Sequence, residues 1–118
     1  MKRILLVDDS PLIQAAAKYA LEEAGYEVAT RSTFDELMSQ PILGHDLILM
    51  DVQMPELYGD DVAMVLRQRG LKTPIYLFSS LDAADLEERV TSSRVDGYIS
   101  KQQDMAHMIA RVREILGA

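Results

Sequence analysis

The sequence predicts a single α/β domain, a parallel sheet covered by helices on both faces. Three observations predict it. Short apolar runs alternate five times with stretches whose apolar residues recur at helical spacing. Two of those runs, Ile4 to Val7 and Leu47 to Met50, are apolar throughout, as strands buried on both faces are. Three helical stretches close on glycine, at Gly25, Gly70 and Gly117. Alternation of this kind implies parallel strands joined by right-handed crossovers, a doubly wound fold.

Each element has its own signal. Arg3 to Val7 is a strand that ends in acid, Asp8-Asp9. Ser10 then caps a helix and Pro11 opens it. Leu12, Ile13, Ala16, Ala17, Ala20, Leu21 and Ala24 supply its apolar face. Tyr26 to Thr30 reads as a strand nearer an edge, because polar Glu27 interrupts it. Thr33 and Glu36 form a capping box for a short helix carrying Phe34, Leu37 and Met38. Pro41 and Gly44 break the chain before Leu47 to Met50, the third strand. Past Pro55 and a turn at Gly59, Val62, Ala63, Val65 and Leu66 give a third helix.

Pro74 opens a fourth strand, Ile75 to Phe78, which runs into the hydroxyls Ser79-Ser80. Asp82 caps the next helix, with Leu86 and Val90 facing in. Its last turn, Thr91-Ser92-Ser93, has poor helix propensity, so this element is expected to shift or fray. Gly97 to Ser100 is a fifth strand ending at Lys101. Asp104 caps the last helix, whose stripe is Met105, Met108, Ile109, Val112, Ile115 and Leu116.

Bulk properties narrow the function. The 118 residues fit one domain, with 48% hydrophobic and 26% charged residues. No apolar run approaches the ~20 residues that span a membrane. Asp8 and Asp9 cut short the run after Lys2-Arg3, so no signal peptide is read and a cytoplasmic chain is expected. A formal charge of −7 argues against a phosphate-backbone footprint, so no direct nucleic-acid binding is expected. Without cysteine there is no disulfide, thiolate nucleophile or thiolate metal site. His45 and His107 stand far apart, outside any metal-ligand spacing.

Parallel strands all point one way, so Asp8, Asp9, Asp51, Ser79 and Lys101 share one rim of the sheet. Ligands bind at that end of an open parallel sheet. Taken alone, Asp51 could equally cap the turn that follows it. Three neighbouring carboxylates repel, however, and need a cation at neutral pH. Oxygen donors without His or Cys select a hard ion, and a site that keeps waters suits Mg²⁺ better than Ca²⁺. An ammonium and a hydroxyl opposite the acids suit the oxygens of a phosphoryl group. Asp51 is the natural nucleophile, since carboxylates form aspartyl phosphates.

These residues resemble, over essentially the whole chain, the receiver domain of bacterial two-component response regulators. The likeness rests on Asp8-Asp9, on Asp51-Val-Gln-Met-Pro55 with Gly59, on Ser79, and on Tyr98-Ile-Ser-Lys101. It implies one receiver domain over residues 1–118 and a flavodoxin-like sheet in the order 2-1-3-4-5. It further implies that Asp51 accepts a phosphoryl group from a histidine kinase or phosphotransfer protein, the chain catalysing its own phosphorylation and dephosphorylation. Asp9 and Asp51 would bind Mg²⁺ directly, Asp8 through water, and the Gln53 backbone carbonyl would complete the protein ligands. Lys101 would bridge Asp51 and the phosphoryl oxygen, while Ser79 and Tyr98 would switch with it. Gln53 and Leu81 would set the lifetime of the aspartyl phosphate.

Output would pass through the fourth helix, fifth strand and fifth helix to a protein target or effector domain. The resemblance also allows a phosphorylation-dependent homodimer, and a stand-alone regulator or a piece of a longer one. Proline usually follows the family's lysine; here Gln102 does, which favours a trans bond and an altered approach to the last helix. Two other readings compete. A flavin carrier on this fold needs a Gly/Ser/Thr-rich loop after the first strand, where Asp8-Asp9 would repel phosphate. A pseudo-receiver would bind proteins without being phosphorylated, and the intact acids, hydroxyl and lysine argue against it.

Overall fold

Ten elements alternate along the chain, in the order the apolar pattern predicts. They are β1 (Arg3–Val7), α1 (Pro11–Glu23), β2 (Glu27–Arg31), α2 (Phe34–Ser39), β3 (Leu47–Met50), α3 (Gly59–Gln68), β4 (Ile75–Ser79), α4 (Ala83–Ser93), β5 (Gly97–Ser100) and α5 (Met105–Leu116). The computed structural model describes residues 1–117; Ala118, the last residue of the expected domain, lies outside the described residues. The strands form one parallel sheet in the order β2-β1-β3-β4-β5. β2 is therefore an edge strand, as Glu27 foretold, although it begins one residue later than Tyr26.

Alternate strand residues feed two separate cores. Leu5, Val7, Ile48, Met50, Ile75 and Leu77 pack under α2, α3 and α4 through Leu37, Val62, Ala63, Leu66 and Leu86. Ile4, Leu6, Leu47, Leu49, Phe78 and Ile99 pack under α1 and α5 through Ala17, Leu21, Met108 and Val112. The central strands β1 and β3 thus bury both faces, which is why their sequences show no alternation.

The helix caps form as their residue types require. Ser10, Thr33, Asp82 and Asp104 each accept a hydrogen bond from the backbone amide three residues on. The box around α2 is shifted, because the Glu36 carboxylate accepts from the Ser32 amide rather than from Thr33. Gly59 is the first residue of α3 and not merely a turn before it. α4 extends through its weak last turn. There Thr91, Ser92 and Ser93 donate their hydroxyls back to the carbonyls of Glu87, Glu88 and Arg89, a competing bond that slightly destabilises a helix. Arg94 ends it in the left-handed conformation, at φ 64°.

Two residues expected in the core lie outside it. Leu12 is 77% exposed. At ~100° per residue it stands about 140–180° around α1 from Ala17 and Leu21, which define the buried face. Val65 lies at the margin of the α3 stripe and is exposed too. The Lys101-Gln102 bond is trans, the favoured form for a non-proline residue. The Gln102 side-chain amide donates to the Ser80 carbonyl at 2.8 Å, tying the loop after β5 to the loop after β4.

Candidate functional site

The carboxyl ends of β1, β3, β4 and β5 converge on one rim. Sheet registration brings Val7 beside Met50, so the acids that follow them become neighbours. The Asp51 amide donates to the Val7 carbonyl at 2.8 Å, and the Lys101 amide donates to the Ser79 carbonyl at 2.8 Å. These backbone bonds extend the sheet by one residue and hold all four strand ends in place. Gln14 braces the acidic loop from α1: its amide donates to the carbonyls of Asp8 and Arg31 and to the Ser32 hydroxyl. Gln14 shares the face of α1 that Ala17 and Leu21 define, three and seven residues on, and a polar residue within that apolar stripe is the signal that marks it in the sequence.

Asp8, Asp9 and Asp51 each offer one oxygen, all within 4.8 Å of one another. Asp8 is fully buried and Asp51 nearly so, while Asp9 is the most exposed of the three. The structure carries its own partial answer to their repulsion. Lys101 Nζ lies 2.6 Å from Asp8 Oδ2 and 3.3 Å from Asp51 Oδ1. The shorter contact is a charge pair rather than an aligned hydrogen bond. Lys101 thus lies nearer Asp8 than the expected acceptor, because the carboxylate with no exposure at all has the greatest need of a cation. Its ammonium also lies over the Phe78 ring, 5.2 Å from the centroid.

Burial governs the acid–base state of Asp51. Desolvation pushes its carboxyl up from 3.8 to about 6; Lys101 opposes the rise, and Asp8 and Asp9 add to it. At neutral pH the group is still ionised, hence nucleophilic, but held in a field that disfavours its charge. The donor set fits a hard divalent cation: oxygen atoms only, clustered, with more negative charge than one ammonium balances.

Ser79 is buried beside this rim, its hydroxyl accepting from the Leu81 amide at 3.2 Å. Gln53 stands two residues beyond Asp51, donating its amide to Asp51 Oδ1 at 3.3 Å. Tyr98 lies on β5 away from the acids, half-buried against the α2–α4 core. Its hydroxyl points to Glu87 Oε1 of α4 at 3.5 Å. A groove of about 620 Å³ opens there between α4 and α5, bordered by Glu87, Val90, Tyr98, His107 and Arg111. Asp8, Asp9, Asp51, Ser79 and Lys101 are therefore brought together, while Tyr98 stands apart on the same side of the sheet as α4.

An acid-lined rim on a doubly wound sheet, faced by a lysine and a buried hydroxyl, sits where such folds bind their ligands. The chain belongs to the response regulator receiver domain family, which it matches over residues 4–113. It is 34% identical over 116 residues to the alkaline phosphatase synthesis transcriptional regulatory protein PhoP of Bacillus subtilis, covering 98% of this chain and 48% of that one. It is 33% identical to the DNA-binding dual master transcriptional regulator RpaA of Synechocystis, covering 98% and 49%. The chain thus spans about half the length of these relatives. Among solved structures it resembles the chemotaxis protein CheY4 of Vibrio cholerae, with a TM-score of 0.87, 25% identity and 98% and 99% of the two chains covered. It also resembles the response regulator TrrA of Thermotoga maritima in complex with Mg²⁺-BeF, with a TM-score of 0.84, 30% identity and 98% and 100% covered.

One expectation is corrected by these likenesses. Net charge alone predicted no direct nucleic-acid binding, yet the relatives are transcriptional regulators, and RpaA is named as DNA-binding. The physical reason is one of scope: the −7 charge describes these 118 residues, and the relatives are about twice as long. Among the described residues no helix is long and apolar enough to cross a membrane.

Proposed function

We propose that residues 1–118 form one receiver unit, a cytoplasmic switch controlled by phosphorylation of Asp51. The observation that carries this reading is the arrangement of a buried Asp51 beside Asp8 and Asp9, with Lys101 within 3.3 Å. The phosphoryl donor would be a histidine kinase or phosphotransfer protein. A carboxylate oxygen of Asp51 attacks phosphorus as the bond from phosphorus to the donor atom breaks, and the donor keeps that electron pair. Lys101 offers its ammonium to a phosphoryl oxygen, and the Ser79 hydroxyl, at the end of the strand beside β3, would turn toward another. Asp9, Asp51 and the Gln53 carbonyl would hold Mg²⁺, with Asp8 acting through water. When bound, the ion supplies the positive charge that lets an anionic phosphoryl group approach three carboxylates. Gln53 and Leu81 border the approach of hydrolytic water.

Ser79 and Lys101 pass the state of the site outward, since the Ser79 carbonyl and Lys101 amide share a backbone bond. The loop beyond Ser79 leads into α4, and the strand before Lys101 carries Tyr98. The face of α4, β5 and α5 is thus the proposed output surface. Control of transcription, as in the relatives, is the output that similarity supports for a longer protein containing this unit.

Intact mass spectrometry after incubation with Mg²⁺ and a small acyl phosphate tests the assignment. One added phosphoryl group is expected, absent without Mg²⁺ and absent in Asp51→Asn. Equal modification of Asp51→Asn would rule out Asp51 as the acceptor. Beryllofluoride, which imitates the phosphoryl group, should shift amide signals around Tyr98 as well as at the rim. Shifts confined to the rim would separate the site from the proposed output surface.

A further inference from the structure

α4 is tied to the loop beneath the acid rim by one side chain that the phosphorylation reading leaves without a role. Arg89, in the middle of α4, donates through Nη1 to both carboxylate oxygens of Asp60, at 3.0 and 3.2 Å. Its Nε donates to Asp85 at 2.7 Å. The guanidinium also lies over the ring of Tyr58, 5.0 Å from the centroid. Asp60 is buried at the first turn of α3, where a carboxylate also favours the helix dipole. The hydrogen bond to Asp85 and the nearness of Asp60 raise the Arg89 guanidinium above its ordinary value, so it stays charged throughout.

The loop at the other end of this contact is closed on itself. Tyr58 pairs with Gln53 through an antiparallel bridge, and the Gly59 amide donates to the Val52 carbonyl at 2.8 Å. Gly59 is pressed so closely on β3 that an added Cβ would stand 1.8 Å from the Asp51 carbonyl oxygen. Val52 to Gly59 is thus a small ring, joined at one end to Asp51 and gripped at the other by Arg89 through Tyr58 and Asp60.

We propose that Arg89 is a positioning residue for the metal site: it holds the 53–58 loop in its binding shape from α4, so cation binding and α4 position are coupled. This route is separate from the one through Ser79 and Tyr98. It rests on the reading of Asp9, Asp51 and the Gln53 carbonyl as cation ligands. Order already imposed on a loop is not charged against ligand binding, so losing the grip weakens the cation. Coupling carried by such contacts changes affinity by ~2- to 30-fold.

The test is Mg²⁺ titration followed by amide signals, with amide exchange measured on the metal-free proteins. Arg89→Ala is expected to weaken Mg²⁺ binding about three- to tenfold and to speed exchange in residues 53–58 as well as in α4. Arg89→Lys keeps the charge without the two-pronged contact and should fall between. Tyr58→Phe keeps the ring and should match the wild type, whereas Tyr58→Leu should weaken binding. Adding Tyr58→Leu to Arg89→Ala should then cost nothing more, because both break one contact. Should Arg89→Ala fail to fold, Arg89→Lys and Tyr58→Leu carry the same comparison. Wild-type protein that binds no Mg²⁺, or binds it equally as Asp9→Asn, would overturn the metal site itself. Wild-type binding lost in Asp9→Asn but unchanged within twofold in Arg89→Ala would overturn the positioning role alone.

Discussion

Replacing Asp51 by asparagine in the metal-free protein should make the fold more stable at neutral pH. The carboxyl is pushed up from 3.8 to about 6, chiefly by burial. The difference, 6 − 3.8, is about 2 units, and each unit corresponds to 1.36 kcal/mol, so the ionised form is disfavoured by roughly 3 kcal/mol. Asparagine has nearly the same shape and no charge. It gives up the 3.3 Å contact with Lys101, which keeps its closer partner Asp8. A net gain of about 1–3 kcal/mol is expected at pH 7.5, equal to about 4 °C in Tm for each kcal/mol.

The pH dependence carries the sign. A carboxyl with a folded value above its unfolded one binds its proton more tightly in the native state. Its contribution to stability is therefore full below about pH 3.8 and lost as pH rises through about 6. The gap between variant and wild type should be near zero at pH 4, open between pH 4 and 6.5, and stay flat above pH 7. Urea unfolding in a chelator at several pH values measures it. A variant less stable than wild type at pH 7.5, or a gap that ignores pH, would refute the desolvation argument.

Three further substitutions probe features away from the acids. Arg94→Gly should stabilise by about 0.5–1 kcal/mol, since a left-handed residue with φ 64° becomes one without strain; a loss of stability in urea would contradict this. Gly59→Ala should cost ~3 kcal/mol or more, because its Cβ has no room against the Asp51 carbonyl; a loss below 1 kcal/mol would mean that the ring opens easily. Arg67→Ala should cost about 2–3 kcal/mol, as its guanidinium donates to the carbonyls of Arg94, Leu71 and Thr73 and to Asp96; an unchanged urea midpoint would show those bonds to be replaced by water.

Much of this architecture was legible because it follows local rules. Apolar runs, caps and glycines located the ten elements, and the common direction of parallel strands placed Asp8, Asp51, Ser79 and Lys101 on one rim. What was not legible involves long side chains reaching across the fold. Arg67 and Arg89 sit on helix surfaces where periodicity says only that they are polar, and besides near neighbours each reaches partners 27 to 29 residues away in sequence. Lys101 lies nearer Asp8 than Asp51 because of relative burial, which no spacing encodes. Leu12 was misplaced because the α1 stripe was drawn too wide: at ~100° per residue it stands on the side opposite Ala17 and Leu21. Charge misled for another reason: it describes these 118 residues and not the other half of the longer relatives.

The sheet also divides the interior into two chambers that share no side chain. Among the described residues, the buried side chains under α1 and α5 and those under α2, α3 and α4 fall into two clusters with no member in common. Changes of volume in one chamber should therefore add to changes in the other with little interaction energy. Leu86, Val95 and Tyr98 lie in the chamber of α4, and Met108 and Val112 in the other. Gln14 apart, the core packing under α1 and α5 is thus free to drift in sequence while the packing that surrounds α4 stays as it was. Within such a fold, partner choice and switching can evolve on separate schedules.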